Sequence, residues 1–442
     1  MVHSGPSGAE RRVSRSTVRA DALRVALLTY KGNPYCGGQG IYVRNLSREL
    51  AALGHRVEVL AGQPYPQLDE GVRLTEVSSL DLYRQPDPFR TPRRGEYRDA
   101  VDLLEVGMMW TAAFPEPLTF SLRAARHLAA RRGEFDVVHD NQCLGYGLLR
   151  LRRLGLPLLT TVHHPIHVDL ELELAAAAAK RRRMELRRWY GFTKMQARVA
   201  RRLPEIVTVS SSSARQIADY MRVRPDRITT IPIGTDVDRF RPDPAVAKVP
   251  GRIIVTASAD SPLKGLAVLV EAFAKARAEH SHATLLVVGR AKPGGAVEQA
   301  VERYGLAPYV EFRHDLAEAD LIGLLRTAEV ACVPSLYEGF SLTAVEAMAV
   351  GLPLVSTTGG ALPEVAGPDG VTTLAVPPGD APALAAALAR VLGDEPLRAR
   401  LGAAARRRAV ERFTWRAAAA ATADRYRARI AEHEERREGQ PC

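Results

Sequence analysis

Cysteine is scarce, with four residues in 442, at Cys36, Cys143, Cys332 and Cys442. They lie far apart and show no Cys-x-x-Cys or Cys/His ligand spacing, which argues against a disulfide framework or a structural zinc site and fits a reducing cytoplasm. No apolar run approaches the roughly 20 residues of a membrane span. The opening "MVHSGPSGAERRVSRSTVRA" has no apolar segment of a secretory signal, and residues 1–20 read as a flexible basic leader. The phosphate-loop pattern GxxxxGK[ST] is absent. The dinucleotide fingerprint GxGxxG also fails, because Gly38-Gln39-Gly40 runs on into Ile41, Tyr42 and Val43. Acidic residues are in deficit, 50 against 61 Lys and Arg. The imbalance belongs to the first half: residues 1–250 carry a net +12 and residues 251–442 a net −1. Such a half suits an anionic partner, either a phosphorylated or lipid-borne acceptor or an anionic membrane face, with no sign of nucleic-acid recognition.

What is present is a regular alternation. Short β-rich runs, among them "LRVALLTY", "HRVEVLAG", "DVVHD", "LPLLTTVH", "EIVTVS" and "RITTIPIG", are separated by helical patterns. The alternation restarts at "GRIIVTAS" and continues through "ATLLVVG", "YVEFR", "EVACVPS" and "LPLVSTT". This is the signature of βαβ units in parallel sheets, and the length calls for two of them. The expected layout is a doubly wound α/β domain over residues 21–245 that binds the acceptor, a second over 250–415 that binds the donor, and a terminal helix and tail over 416–442. The proline-rich "DRFRPDPAVAKVPG" is the linker. The segment "DLELELAAAAAKRRRMELRRWYGFTKMQARVARRL" reads as one long basic helical insertion, with Trp189, Tyr190 and Phe192 among its arginines. The last segment, from Thr414, reads as a long exposed helix.

Chemistry concentrates at the ends of strands. The glycines of Tyr35-Cys36-Gly37-Gly38-Gln39-Gly40 follow the first strand and let a backbone approach a ligand, while the next helix presents free N–H groups to an anion. In "PSLYEGFSLTAVEAMAVGLPLVSTTGGALPEV", Gly339-Phe340-Ser341 open a helix bracketed by Glu338, in the loop, and Glu346, about two turns in. A loop carboxylate can hold sugar hydroxyls, a buried one a ribose, and the amides of Gly339 to Leu342 a diphosphate. A nucleotide sugar has all three parts.

At these residues the chain resembles the retaining glycosyltransferases of family 4. The matching features are the E-x7-E pattern of Glu338 and Glu346, Gly37-Gly38, Thr161-Val162-His163, the run Ile231 to Phe240, and Lys264-Gly265. The resemblance implies a GT-B fold: two Rossmann-like domains facing across a cleft, with the C-terminal helix returning to the first. It implies transfer of a hexose from a nucleotide-diphosphate sugar to a hydroxyl by front-face attack, with no metal and no cofactor beyond the donor. Glu338 would then hold the donor sugar, Glu346 the ribose, Lys264 with the Ser341 and Leu342 amides the diphosphate, Gly38 the same phosphates from across the cleft, and His163 a sugar hydroxyl. The family commonly has an Arg shortly before Lys-Gly. This chain has Ser258-Ala259-Asp260-Ser261-Pro262-Leu263 there, and Arg290 is the expected replacement. Ser341 also stands where a second glycine is common. Asp236-Val237-Asp238 belongs to the inter-domain run rather than to a metal site. A phosphorylase or epimerase of the same layout, and a non-catalytic scaffold binding nucleotide sugar or lipid, are the alternatives.

Overall fold

The computed structural model describes residues 22–33, 38–84, 86–257 and 261–438. The leader, Cys36, Gly37, Asp260 and Cys442 fall outside them. Two sheets carry the chain. The first contains β1 (Arg24–Thr29), β2 (Arg56–Ala61), β3 (Arg73–Glu76), β4 (Val137–Asn141), β5 (Leu158–Val162), β6 (Ile206–Thr208) and β7 (Ile228–Thr230), in the order 3-2-1-4-5-6-7. The second contains β8 (Arg252–Thr256), β9 (Thr284–Val288), β10 (Val310–Arg313), β11 (Val330–Val333), β12 (Leu354–Thr357) and β13 (Thr373–Val376), in the order 10-9-8-11-12-13. Neighbouring strands are parallel; Leu27 of β1, for example, lies between Val59 and His139. Helices cover both faces, which is why the central strands are apolar without alternation and Val25 to Leu28 are almost wholly buried. The chain is therefore the two-lobed, doubly wound α/β fold expected from its alternation.

In both sheets the strand order reverses once, between β1 and β4 and between β8 and β11. Helices leave on opposite sides of such a reversal, which opens a crevice at the carboxyl ends of the strands. Lys264 follows β8 and Glu338 follows β11, so the two loops flanking the second reversal hold the cation and the acid singled out in the sequence. Gly38 follows β1, and Asn141 closes β4, at the first reversal.

Several expectations need correction. β3 and β13 were not foreseen: "RLTE" is a polar edge strand, and "TLAV" is four residues long and runs into two prolines. The basic insertion is three helices, His167–Ala176, Lys180–Trp189 and Phe192–Ala200, because the chain is extended at Ala177 and Ala179 and turns at Tyr190-Gly191. Trp189 packs against Phe114 and Tyr83, at centroid distances of 5.0 and 5.6 Å, so it serves the N-terminal core. The terminal helix Trp415–Glu438 is not exposed along its first half: Trp415, Ala419, Ala423 and Tyr426 are buried. It lies on the helix Gly38–Ala52 and against β4 and β5 of the first lobe.

The Gly-Gly turn also resolves differently. At Gly38 a Cβ would meet nothing within 4 Å, whereas at Gly40, inside the first turn of the helix, it would drive into the carbonyl oxygen of Asn33. Gly40 is thus the glycine the packing requires, and Gly38 leaves open space. Gly40→Ala is expected to cost on the order of 2 kcal/mol in urea unfolding, and Gly38→Ala less than about 0.5 kcal/mol. Equal losses would show that the Asn33 contact does not decide between them.

Candidate functional site

The second lobe brings its two loops together through a close backbone contact. Gly265, with φ +65°, faces the Pro334 carbonyl so closely that any Cβ would collide with it. Leu336 N–H donates to the Leu263 carbonyl at 2.7 Å. The approach lets the Lys264 ammonium donate to Glu338 Oε1 at 2.8 Å, and the same oxygen accepts from Ser335 Oγ at 2.7 Å. The Glu338 side chain is 11% exposed and that of Lys264 31%, so the acid is held well inside and the cation reaches the crevice. Ser335, three residues before Glu338, carries no sequence signal that would have marked it.

The helix beyond is Leu342–Ala349, so Glu346 lies little more than one turn in, not two. Burial, and then the charge of Glu318, push its carboxyl up to about 8. Ser341 caps the helix, accepting from Ala344 N–H at 3.4 Å, with φ +88° and ψ 81°. That backbone region costs a residue with a Cβ about 1–3 kcal/mol, a physical reason for the glycine common there. Phe340 is buried edge-on against Phe413 at 5.6 Å, and Leu342 packs on the core, so both offer a ligand only their backbone. Arg290 is exposed after β9 and ion-pairs with Asp315 beyond β10, on the side of β9 away from β8.

In the first lobe His163 follows directly on β5. Its Nε2 lies 2.8 Å from Asn141 Oδ1, and its backbone N–H donates to Gln142 Oε1 at 2.7 Å. Burial, aided by His164, lowers its pKa to about 3, so the ring is a neutral imidazole near neutral pH. Its edge contact with Tyr42, at 4.6 Å, leads into a buried chain. Tyr42 Oη lies 3.1 Å from Thr161 Oγ1, His139 Nε2 2.8 Å from the same oxygen, and His139 Nδ1 2.7 Å from Tyr426 Oη on the terminal helix. The loop that carries Gln142 is strained, with positive φ at Gln142 and Leu144.

The lobes meet at Gly339. Its carbonyl accepts from Ser210 Oγ at 2.7 Å and Ser213 Oγ at 3.2 Å, and Ser213 Oγ also faces the His163 carbonyl at 2.9 Å. A Cβ on Gly339 would stand 3.3 Å from that carbonyl. Glu364 reaches across the seam and accepts from the Ser211 and Ser212 N–H groups at 2.7 Å each, a carboxylate on the N-terminus of the helix Ser211–Met221. Of the expected residues, Lys264, Glu338 and Gly339 thus form one constellation linked to the His163 backbone through Ser213, with Ser341, Leu342 and Glu346 on the adjoining helix. Gly38 opens the facing helix of the first lobe, and Arg290 stands apart. Ser210 and Ser213 cross the seam without having been singled out as site residues in the sequence, and Glu364 appeared there only inside the quoted stretch ending in Pro-Glu-Val. Asp236 turns its Oδ1 to the backbone N–H groups of Asp238 and Arg239, and among the described residues no three His, Cys, Asp or Glu converge as a metal site.

Comparison with known proteins gives the family. The family description "Glycosyltransferase Family 4" matches residues 36–239, and "Glycosyl transferases group 1" matches residues 250–394. The chain is 53% identical over 410 residues to an MMP alpha-(1->4)-mannosyltransferase of Mycolicibacterium hassiacum, covering 92% of this chain and 99% of the relative. It is 30% identical over 444 residues to a D-inositol 3-phosphate glycosyltransferase of Saccharomonospora viridis, covering 96% and 97%. A solved sucrose-phosphate synthase from Thermosynechococcus elongatus superposes with a TM-score of 0.71 at 25% identity, covering 93% of this chain and all of that one.

Glu346 yields a pH test. Its folded pKa of about 8 lies above the ordinary 4.5, so as pH rises the unfolded chain loses this proton first. The stability it contributes is fully present below about pH 4.5 and is lost by about pH 8. Glu346→Gln removes that loss. Thermal melts should show the variant gaining on the parent between pH 5 and 8, and parallel curves would show that the carboxyl is not perturbed.

Proposed function

We propose, from the premise that this chain belongs to glycosyltransferase family 4, that it is an α-mannosyltransferase acting on a saccharide acceptor with a nucleotide-diphosphate mannose as donor. The observation that carries the reading is the Lys264–Glu338 pair at the strand-order reversal, in a chain 53% identical over 92% of its length to a relative named for α-(1→4) mannosyl transfer. The mechanism is retention by front-face attack. The acceptor hydroxyl approaches C1 on the side from which the diphosphate departs. The C1–O bond to phosphate breaks, the C1–O bond to the acceptor forms, and the hydroxyl proton passes to a leaving phosphate oxygen.

Charge grows on that phosphate, and preorganised donors that meet it lower the barrier. Lys264 is one. The amides of Ser341 and Leu342, at a helix N-terminus, are others, and Gly38 approaches from the facing lobe. As Lys264 turns to the diphosphate, Glu338 is released to accept from mannose hydroxyls, while Ser335 continues to hold it. His163, a neutral imidazole, contributes a hydrogen bond and no charge, and its position against Asn141 sets which nitrogen faces the sugar. Glu346 accepts from the nucleotide ribose. Arg290, leaving the exposed Asp315, adds the second cation that the family usually supplies before Lys-Gly. On the acceptor side, Phe89 is 58% exposed with φ +65° and lies beside Tyr83 and Trp189, a face on which a pyranose ring can stack.

Glu338→Gln should reduce turnover on mannose nucleotides by roughly 10²–10³-fold, with the melting temperature unchanged within a few degrees. Proton NMR of the parent's product should report an α anomer formed only when acceptor is supplied. A β product rules out retention, acceptor-independent product indicates phosphorolysis or epimerisation, and full turnover by the variant dismisses Glu338. Titration of a nucleotide donor into Arg290→Ala should give weaker binding than the parent, by roughly tenfold. Unchanged affinity assigns the diphosphate to Lys264 and the amides alone.

A further inference from the structure

The side of the first lobe away from the cleft carries a groove that the transfer reaction does not use. It lies at the amino-terminal ends of β5 and β6, past Pro157 and Pro204, and is closed by the end of the Trp415–Glu438 helix. One cavity of about 720 Å³ adjoins another of about 210 Å³, the two sharing Arg152, Pro204 and Arg436. Eight arginines line the two, and among the described residues six of them, Arg132, Arg152, Arg153, Arg201, Arg202 and Arg227, form no ion pair with a carboxylate. Glu432 is the one acidic side chain in the lining, and Arg429 and Arg436 already hold it.

Several of these guanidinium groups are tethered to backbone carbonyls. Arg152 donates to the Arg202 carbonyl, Arg202 to the Arg198 carbonyl at 2.8 Å, and Arg227 to the Arg201 carbonyl at 3.5 Å. Such bonds fix the side chains around the C-terminus of the Phe192–Ala200 helix and leave most of their five N–H donors free. Like charges gathered in one concavity repel, and an anion removes that cost. Guanidinium forks match phosphate oxygens in pairs, and the larger cavity is of the size that accepts a small molecule.

We propose that this groove is a second anion site, separate from the donor cleft, that binds a phosphate-bearing ligand. Two sources share the chemistry, a soluble oligophosphate and a phospholipid headgroup, and one experiment separates them. Lys264→Ala first removes the cation of the donor clamp. In that background, tripolyphosphate is titrated calorimetrically before and after Arg153→Glu with Arg202→Glu. Flotation is run in parallel with vesicles of phosphatidylcholine alone and mixed with phosphatidylglycerol. Tripolyphosphate binding that survives Lys264→Ala and drops roughly tenfold or more in the arginine variant supports the soluble source. Flotation only with phosphatidylglycerol, lost in the arginine variant, supports the headgroup. Should neither probe bind, or should both bind the variant as they bind its parent, the site is refuted. Arg132→Gln with Arg153→Gln, both exposed at helix ends, repeats the comparison if charge reversal impairs folding.

Discussion

The carbonyl of Gly339 is the contact on which the rest of the site depends. It belongs to the loop that carries Glu338, yet its hydrogen bonds come from Ser210 and Ser213 of the other lobe. A side chain at Gly339 would crowd the His163 carbonyl, and the absence of one lets the end of β5 and the loop after β11 come into register. Glu364 strengthens the same seam. Its carboxylate meets two amide groups at the positive end of a helix, an attraction that a partly screened interface sustains better than an exposed ion pair does.

Around that seam the electrostatics are divided between the lobes. The second lobe holds the ion pair of Lys264 and Glu338, with the Glu346 carboxyl desolvated and mostly protonated near neutral pH. The first lobe presents a neutral ring, because His163 is too buried to take a proton near pH 7. The two facing surfaces therefore offer a cation and helix amides on one side, and a hydrogen-bonding group without charge on the other. The terminal helix links this arrangement to the back of the first lobe, since Tyr426 sits at the far end of the hydrogen-bonded chain that backs Tyr42 and His163. Its last turns close the arginine groove.

Much of this could be read from the residues alone. Short β-rich runs set between helical patterns announce the strands of a parallel sheet, and eleven of the thirteen were visible for that reason. The two missed strands are a polar edge and a four-residue run, neither with enough apolar surface to stand out. Glu338 and Glu346 stood out because a loop carboxylate beside Gly-Phe and a carboxylate inside an apolar helix each need a reason, whereas Lys264 and His163 were singled out through the family resemblance. Ser335, Asn141, Ser213 and Glu364 were not legible, because a small polar or acidic side chain becomes informative only when its partner is known.

Local sequence thus determined the strand and helix alternation, the two-lobed α/β class and the acidic and basic residues at strand ends, since these follow from periodicity and side-chain chemistry over a few residues. Tertiary structure alone decided that Lys264 pairs with Glu338 across 74 positions, that Gly40 rather than Gly38 is sterically required, and that eight arginines line one groove. Those outcomes depend on distances between segments remote in the chain, which no local pattern encodes.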